Sequence, residues 1–328
     1  MIVITGGAGF IGSNLVAGLE AAGYSELVIC DRFGNDERWR NVAKREIADI
    51  ITPDQLMPFL EGHRNRLEAV VHMGAISATT ERDVDAIIEN NVRLTLDLFH
   101  WAKHTDVRLI YASSAATYGD GSQGFSDDDS VEALNALRPL NAYGWSKAMV
   151  DRRIARIVRE GGKAPIQWAG LKFFNVYGPN EYHKGDMQSV VSKIYPLAAA
   201  GETARLFESH HPDFEHGGQS RDFVYVADCV KVVLWLLENP QVSGVYNLGT
   251  GQARSFKDLA TAVYRALEVE PQIEYVPTPE GIRDKYQYFT QADMSRLRAA
   301  GFDQDFTSLE DGVADYVQNY LHTADPYL

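Results

Sequence analysis

The sequence predicts an α/β protein, with a doubly wound parallel sheet and a smaller α/β lobe in the C-terminal half. Three observations lead to this prediction. Apolar, strand-like runs alternate with helical patterns, a glycine-rich stretch directly follows the first run, and the second run ends in an acidic residue. Strands separated by helices form parallel sheets, whose ligands bind at the carboxyl ends of the strands. Functional residues are therefore expected where the apolar runs end.

The predicted elements follow one another in this alternating order. Strands are expected at residues 1–5, 27–31, 69–72, 109–113, 166–173 and 245–248, and helices at residues 11–22, 83–103, 143–159 and 226–238. A chain of 328 residues exceeds the size at which single cores stop growing, so two lobes sharing a cleft are expected. The sheet domain is predicted to cover residues 1–174 and about 222–250, and the second lobe residues 175–221 and 251–328.

The glycine-rich stretch lies between the first predicted strand and the first predicted helix and reads Gly6-Gly7-Ala8-Gly9-Phe10-Ile11-Gly12. Such a turn lets backbone N–H groups approach a pyrophosphate, and the helix N-terminus adds partial positive charge. The spacing fits a dinucleotide fingerprint through Gly7, Gly9 and Gly12, or through Gly6, Gly9 and Gly12. Asp31 follows about 20 residues further on, where a carboxylate binds the ribose. The alternative is a turn that binds nothing, but the full order favours a Rossmann domain that binds a dinucleotide.

The composition excludes several classes of protein. A formal net charge of -14 argues against nucleic acid as a partner. No apolar run could span a bilayer and no charged segment precedes the first strand, so we expect no membrane association and a cytoplasmic location. The two cysteines, Cys30 and Cys229, give no disulfide framework or metal pattern. We expect the acidic run at 127–129 to be a solvated loop and His210, His211 and His216 to be loop histidines rather than metal ligands.

Tyr143 and Lys147 lie four residues apart in a predicted helix and therefore share one face. To act as a base near neutral pH, a tyrosine must have its pKa lowered by about three units, or roughly 4 kcal/mol. The Lys147 ammonium group and a positively charged cofactor ring would both favour the phenolate. Ser113 and Ser114 end the 109–113 run, where a hydroxyl can hydrogen-bond a substrate oxygen. The alternatives are an exposed Tyr–Lys pair and serines that bond only to the backbone.

Several segments resemble the extended short-chain dehydrogenase/reductases that act on nucleotide sugars, the NAD-dependent epimerase/dehydratase family. They are the glycine run, Asn90-Asn91-Val92, Ser113-Ser114-Ala115-Ala116-Thr117-Tyr118-Gly119, Tyr143 with Lys147, and Phe174-Asn175-Val176-Tyr177-Gly178-Pro179. Four more resemble the branch that epimerises ADP-heptose at C6 for the lipopolysaccharide core, namely Ser77-Ala78-Thr79-Thr80-Glu81, His183-Lys184-Gly185, Arg221-Asp222-Phe223-Val224-Tyr225 and Phe289-Thr290-Gln291-Ala292-Asp293. The resemblance implies oxidation of C6 to a ketone and return of the same hydride to the opposite face.

The resemblance also implies roles for individual residues. Tyr143 and Lys184 would be the two acid/base groups, Lys147 would orient the nicotinamide ribose, and Ser114 would polarise the reacting oxygen. From the residues alone, Lys184 is a solvated loop lysine or a phosphate contact, because an ammonium group must lose about three pKa units to act as a base near neutrality. Cofactor contacts are expected from Gly6, Gly9, Phe10, Ile11, Gly12, Asp31, Arg32, Arg38, Met73, Gly74, Ala75, Ile76, Ser77, Asn90, Tyr143, Lys147, Val176 and Lys184. Substrate contacts are expected from Ser114, Asn175, Asp186, Lys193, Phe207, Glu208, Ser209, His210, Arg221 and Tyr286.

The identity of the cofactor depends on Asp31, Arg32 and Arg38. An acid suits the free ribose of NAD, whereas nearby arginines can bind the 2′-phosphate of NADP. The family combines both features and favours NADP, so NADP is expected; NAD stays open, since Pro53 replaces a lysine found in some members.

The substrate carries two further open points. Arg221 is the best candidate for the substrate diphosphate, with an ion pair to Asp222 or another acid as the alternative. Asp186, Ser209 and His210 depart from the family pattern, which leaves the exact sugar nucleotide open.

Two other functions are compatible with the sequence. One is a nucleotide-sugar 4-epimerase or dehydratase of the same fold, although Ala115 and Ala116 supply no group for eliminating water. The other is a non-catalytic cofactor sensor, although such proteins tend to lose the tyrosine and lysine that are present here. A homo-oligomer, pentameric in the heptose branch, is implied by the resemblance alone.

Overall fold

The computed structural model describes residues 1–283 and 287–328. Over these residues the strands are β1 (Ile2–Thr5), β2 (Leu27–Cys30), β3 (Asp49–Ile51), β4 (Ala69–His72), β5 (Arg108–Ser114), β6 (Trp168–Phe173), β7 (Asn175–Tyr177), β8 (Ala204–Phe207), β9 (Ser220–Tyr225), β10 (Gly244–Leu248), β11 (Ala253–Ser255) and β12 (Ile273–Val276). The α-helices are α1 (Phe10–Ala21), α2 (Pro53–His63), α3 (Val84–Ile87), α4 (Leu94–Ala102), α5 (Val131–Ala136), α6 (Ala142–Arg159), α7 (Val190–Ala199), α8 (Val226–Glu238), α9 (Phe256–Ala266), α10 (Glu280–Arg283), α11 (Ser295–Ala299) and α12 (Leu309–Tyr316).

Seven parallel strands form the central sheet in the order β10-β6-β5-β4-β1-β2-β3. β1, β2 and β4 are buried along their whole length, as expected for parallel strands covered by helices on both faces. The chain moves outward from β1 to β3 and then continues from β4 on the other side of β1. This reversal opens a crevice at the carboxyl ends of β1 and β4, which is where ligands of doubly wound sheets bind. The predicted fold class is confirmed.

The second lobe has two small sheets, β11-β9-β7 and β12-β8. Helices α7, α9 and α12 pack around a separate hydrophobic core, which includes Ile194, Val263 and Val313. Phe10, the first residue of α1, also belongs to this core and so joins the glycine loop to the lobe. The return to the sheet domain at about 222 stays a prediction. Because β9 pairs with β7 and β11, we propose that the return begins with α8.

The acidic run at 127–129, expected to be a solvated loop, is instead mostly a structural element. β10 is an edge strand, and the Asn247 N–H donates to Asp127 Oδ2 at 2.8 Å while the Val245 N–H donates to Asp129 Oδ2 at 3.2 Å. Asp127 is only 2% exposed, and Arg296 pairs with Asp129. The two carboxylates therefore satisfy backbone groups of the sheet edge, and only Asp128 is exposed.

Candidate active site

A cavity of about 460 Å³ lies at the carboxyl ends of β1, β4 and β5 and brings together most of the predicted cofactor and catalytic residues. The predicted residues that line it are Gly6, Gly9, Phe10, Ile11, Gly12, Asp31, Arg38, Met73, Gly74, Ala75, Ser77, Ser114, Tyr143, Lys147, Val176 and Lys184. Ser113, named beside Ser114 as a candidate hydroxyl, also lines it, as do residues that were not predicted, among them Phe174, His183 and Met187. The site is therefore built by both halves of the chain.

The glycine loop approaches the neighbouring backbone so closely that side chains would not fit. Gly6 has a φ of +66°, and a Cβ on it would lie 2.7 Å from the Cα of Gly74. A Cβ on Gly12 would lie 2.0 Å from the carbonyl oxygen of Gly6. Gly9 caps α1 without a side-chain hydrogen bond, so the first N–H groups of the helix are available to an anion. These features fit the pyrophosphate of a dinucleotide.

Asp31 lies directly after β2 and lines the cavity. Its carboxylate accepts the Ala8 N–H at 2.9 Å and the Arg32 N–H at 2.7 Å. Burial raises the pKa of Asp31, and these hydrogen bonds and Arg38 oppose the shift. The acid thus braces the glycine loop and faces the position expected for a ribose.

The two arginines beside Asp31 are differently placed. Arg32 does not line the cavity; its guanidinium group is exposed and bonds Asp54 at 3.1 Å. Arg38 does line it, but its Nε and Nη2 bond the two carboxylate oxygens of Asp36 at 2.9 and 2.8 Å. Both groups that would hold a 2′-phosphate are therefore paired with carboxylates.

Asn91, and not the predicted Asn90, supports the loop that follows β4. The side chain of Asn90 is exposed and bonds back to the Ala86 carbonyl at 2.8 Å, so it does not reach the cavity. Asn91 is buried, accepts the Ile76 N–H at 2.8 Å and donates to the Ile76 carbonyl at 2.9 Å. Ile76 is accordingly held through its backbone and does not line the cavity. The helical spacing could have identified Asn91. It lies four residues from both Ile87 and Thr95, and all three are buried on one face of the helix predicted at 83–103.

A buried histidine lies beneath the same loop. His72, the last residue of β4, contacts Thr5 Oγ1 through Nδ1 at 2.6 Å and Thr95 Oγ1 through Nε2 at 3.0 Å. Thr5 Oγ1 in turn accepts the Gly74 N–H at 3.0 Å. Burial lowers the pKa of His72 from 6.5 to about 3, and the charge of Lys147 adds to the shift. The imidazole is neutral in the native protein across the physiological range.

This histidine predicts acid sensitivity of the fold. Below pH 6.5 the unfolded chain binds a proton at His72 that the native protein excludes, so stability falls as the pH is lowered toward 3. Between pH 7 and 4.5 we expect this group to lower the free energy of unfolding by about 2 to 3 kcal/mol. Urea titrations of wild type and His72→Gln at both pH values measure the difference. His104→Gln, at an exposed position, is the matched control; equal losses in wild type and His72→Gln would contradict the prediction.

Tyr143, Ser114 and Lys147 meet in the cavity because α6 begins against the turn that follows β5. The Asn141 side chain caps α6, and Gly144 packs so closely on Ala116 that a Cβ would lie 2.6 Å from its carbonyl oxygen. The hydroxyl group of Tyr143 is hydrogen-bonded to Ser114. The structure thus excludes the alternative of a Tyr–Lys pair on a solvated helix face.

The electrostatics of this group differ in part from the expectation. Burial raises the pKa of Tyr143, and the hydrogen bond from Ser114 opposes the rise. Lys147, expected to acidify the phenol, is not among the groups that shift the pKa of Tyr143. Lys147 is only 2% exposed, and burial lowers its own pKa to about 8 while Asp151 opposes that shift. Of the described side chains, Ser114 is the one that favours the phenolate.

Lys184 enters the cavity from the second lobe. It lies in a tight turn, Tyr182–Met187, in which Gly185 has a φ of +52°. Its Nζ lies 4.9 Å from the centre of the Phe10 ring. Burial lowers the pKa of Lys184, Glu181 raises it, and Lys193 lowers it. Partial desolvation is what a lysine needs to act as a base, so the position fits that role better than a solvated loop lysine.

A second cavity, of about 810 Å³, lies between α7 and β8 and contains two of the predicted substrate residues. Lys193 and Phe207 line this cavity together with unpredicted residues, among them Arg205, Gln219 and Phe256. The chain at 183–197 borders both cavities, since His183 and Lys184 line the first, and Lys193, Ile194 and Leu197 line the second.

Apart from Ser114, which lines the first cavity, the other predicted substrate residues that the structure describes line neither cavity. Asn175 opens β7 and is exposed beside Phe174 and Val176, which border the first cavity. Asp186 is exposed, and its carbonyl accepts Lys193 Nζ at 2.6 Å. Glu208 is held through its backbone, because its carbonyl accepts Thr278 Oγ1 at 2.9 Å. Tyr286 lies outside the described residues.

Neither cavity is lined by Arg221, Ser209 or the loop histidines. The guanidinium carbon of Arg221 lies 5.5 Å from the centre of the Phe256 ring, and Asp222 instead accepts N–H groups of Thr250, Gly251 and Ala292. The predicted alternative of an Arg221 ion pair with Asp222 therefore does not describe this site, and an ion pair of Arg221 with another acid stays a prediction. The Ser209 N–H donates to His216 Nδ1 at 2.9 Å, and His210, His211 and His216 are all exposed.

Across 1–283 and 287–328, no group of three or more histidine, cysteine, aspartate or glutamate side chains could hold a metal ion. In the same part of the chain, no helix has the length and apolar character needed to cross a bilayer.

Known proteins share this fold and sequence pattern. The model of the NAD dependent epimerase/dehydratase family matches residues 2–249. The ADP-L-glycero-D-manno-heptose-6-epimerase of Nitratidesulfovibrio vulgaris (strain DP4) is 52% identical over 330 residues, and that of Fusobacterium nucleatum subsp. nucleatum is 45% identical over 336 residues; both alignments cover 100% of each chain. The crystal structure of the Helicobacter pylori ADP-L-glycero-D-manno-heptose-6-epimerase is 27% identical with a TM-score of 0.78, covering 97% of this chain and 95% of that one. The Thermus thermophilus UDP-glucose 4-epimerase in complex with NAD is 25% identical with a TM-score of 0.73, covering 95% and 96%. The chain belongs to the NAD dependent epimerase/dehydratase family, and the resemblance inferred from its motifs is confirmed.

Proposed function

We propose that this protein is an ADP-L-glycero-D-manno-heptose 6-epimerase, which interconverts the two C6 epimers of ADP-glycero-manno-heptose and so supplies heptose for the lipopolysaccharide core. One observation carries the proposal: a single cavity holds Ser114, Tyr143 and Lys147 from the sheet domain and Lys184 from the second lobe. An epimerase must handle protons on two faces of one carbon, and two acid/base groups on different lobes suit that requirement. The full-length identity to heptose epimerases supports the same substrate.

The residues of the chain divide the chemistry as follows. As a member of its family the protein uses a nicotinamide cofactor, which when bound supplies the reversible hydride acceptor for C6. Tyr143 takes the proton of the C6 hydroxyl, and Ser114 donates a hydrogen bond to the same oxygen. After the 6-keto sugar has turned within the cavity, Lys184 donates the proton to the oxygen as C6 is reduced on its other face. Lys147 holds the ribose of the cofactor. One hydride and one proton leave and one of each returns, so no net oxidation occurs.

We propose NAD as the preferred cofactor, although the sequence favours NADP. Asp31 faces the cavity and suits a ribose diol, whereas Arg32 bonds Asp54 outside the cavity and Arg38 bonds Asp36. A 2′-phosphate would have to compete with Asp36 for Arg38 and would lie near the negative charge of Asp31. The solved neighbour from Thermus thermophilus contains NAD.

We further propose that the second cavity takes the nucleotide part of the substrate. It combines an apolar wall, including Leu206, Phe207 and Phe256, with the cation Lys193. Arg205 also lines it but pairs with Glu274, so Lys193 is the cation that we assign to the diphosphate. An adenine ring can pack on such a wall, and a diphosphate needs cations close by to offset a net charge of -14. A cytoplasmic, homo-oligomeric enzyme, pentameric as in the heptose branch, is proposed on family resemblance.

The purified protein with ADP-D-glycero-D-manno-heptose in deuterated water tests this function. We expect the L-glycero epimer, with the original hydrogen retained on C6. Deuterium on C6 would contradict internal hydride return, and turnover of a UDP-hexose in place of the heptose would indicate a 4-epimerase. Denaturing the protein and separating the released nucleotides identifies the cofactor: NAD is expected, and NADP would overturn our reading of Arg32 and Arg38.

A further inference from the structure

A buried ion pair lies behind the proposed catalytic residues and lines neither cavity. Asp151, on α6, accepts Lys172 Nζ from β6 at 2.8 Å, and both side chains are fully buried. Asp151 is one helical turn beyond Lys147 and two beyond Tyr143, so the three share one face of α6. No motif in the sequence pointed to a role for either partner.

The pair connects the elements that supply Ser114, Tyr143 and Lys147 to the site. Asp151 accepts Ser113 Oγ at 2.6 Å and Tyr111 OH at 3.1 Å, and both donors belong to β5. Lys172 Nζ also donates to Thr117 Oγ1 at 2.8 Å, in the turn that starts directly after Ser114. The end of β5, the Ser114 turn and α6 are thereby fixed relative to one another.

A buried ion pair is a costly way to pack a core, since apolar side chains of similar volume are often at least as stabilising. The charge must therefore have another use. The charged and titratable groups that face Lys147 are Asp151 on its own helix and His72 on β4; Lys172 on β6 is neutralised by Asp151, and Tyr111 on β5 donates to it. Burial lowers the pKa of Lys147 to about 8, and Asp151 is the group that opposes this shift.

We propose that Asp151 is a positioning residue for the reaction: its carboxylate holds the end of β5 beside α6 and keeps the Lys147 ammonium group charged. The proposal rests on the proposed function for its catalytic meaning. A charged Lys147 can donate charge-assisted hydrogen bonds to a cofactor ribose, whereas a neutral amine donates weaker ones. Lys172 limits the influence of Asp151, so that the carboxylate does not capture Lys147 in a direct ion pair.

Opposite changes to the pair should move the titration of Lys147 in opposite directions. Asp151→Asn removes the negative charge, so the pKa of Lys147 should fall by about one unit. Lys172→Met leaves Asp151 charged with Lys147 as its nearest cation, so the pKa should rise. A purely structural pair would destabilise the protein in both variants without this reversal of sign.

The test uses the full chain with its bound cofactor, labelled with [6-¹³C]lysine. The ¹³C shift of Lys147, assigned by its loss in Lys147→Met, is followed against pH in wild type, Asp151→Asn, Lys172→Met and the charge-balanced double variant Asp151→Asn/Lys172→Met. Asp228→Asn is the matched control, because Asp228 is a fully buried carboxylate paired with Lys231 away from the cavity. It should lower stability and leave the Lys147 titration unchanged.

A downward shift in Asp151→Asn and an upward shift in Lys172→Met support the proposal, and unchanged titration in folded variants overturns it. Where a single variant does not fold, a lower Lys147 pKa in the double variant than in Lys172→Met is the supporting result. In turnover assays the high-pH limb of kcat/KM should move with the Lys147 titration. Absence of turnover in wild type with an intact titration response would reject the epimerase function and leave the role of Asp151 standing.

Discussion

Tyr143→Phe is expected to lower kcat for epimerisation by about 10³-fold, because it removes the group that takes the substrate proton and nothing else. The phenol contacts Ser114 through its hydroxyl, so the substitution costs one hydrogen bond and leaves the ring packed in place. The pKa of Tyr143 is raised by burial, so wild-type kcat should increase with pH through the neutral range as more phenolate forms. Initial rates on ADP-heptose between pH 6 and 9 measure both effects.

The control for this variant is Tyr24→Phe, which removes a hydroxyl from a half-buried tyrosine that does not line the cavity. It should keep wild-type kcat and the same pH dependence. Cofactor content of Tyr143→Phe should also match wild type, since the glycine loop is untouched. Wild-type turnover by Tyr143→Phe would remove the phenol from the mechanism and leave Lys184 as the remaining acid/base candidate.

Gly12→Ala is expected to abolish cofactor retention and to destabilise the fold. The added methyl group would lie 2.0 Å from the Gly6 carbonyl oxygen and 2.9 Å from the Gly7 Cα, both backbone atoms that cannot rotate away. The loop must shift from the N-terminus of α1, which removes the N–H groups that would bind the pyrophosphate. Overpacking of this kind costs about 1 to 3 kcal/mol or more. The measurements are the nicotinamide content of the purified protein and its Tm.

Gly62→Ala, near the end of α2, is the matched control for Gly12→Ala. A Cβ on Gly62 meets no atom within 4 Å, so the alanine should only improve helix propensity, by about 0.5 to 1 kcal/mol. We expect an unchanged cofactor content and an unchanged or higher Tm. Full cofactor content in Gly12→Ala would show that the loop tolerates the methyl group and would contradict the geometry described for Gly6.

The central sheet was predictable because its strands are buried on both faces and so form continuous apolar runs. The predicted strands at 69–72 and 245–248 and the helix at 226–238 agree with β4, β10 and α8 to within one residue. β3 was not predicted, since two of its three residues are exposed and it leaves no apolar run. The short strands β7, β11 and β12 were missed for the same reason, since none of them has more than one buried residue.

The positions of site residues could be predicted where they end a strand or lie on one face of a helix. They could not be predicted where they depend on the path of a connecting segment. Ser114, Tyr143 and Lys147 are of the first kind and do meet in one cavity. Asn175 and Asp186 depend on loop paths and line neither cavity, and Asn90 was chosen over its neighbour because single-residue helix phase is difficult to assign. Asp151 carries no motif of its own, so its link to Lys172 appears only when α6 and β6 are seen together.

The chain at 183–197, which borders both cavities, has a mechanical consequence if the proposed assignments hold. Lys193, proposed to bind the nucleotide part of the substrate, and Lys184, proposed to donate the final proton, then belong to one short segment of the chain. Binding of the nucleotide in the second cavity would then help to align Lys184 with C6 of the heptose, because binding energy from non-reacting parts of a substrate can raise kcat. A free heptose without its adenylate handle would therefore be turned over slowly even at saturation.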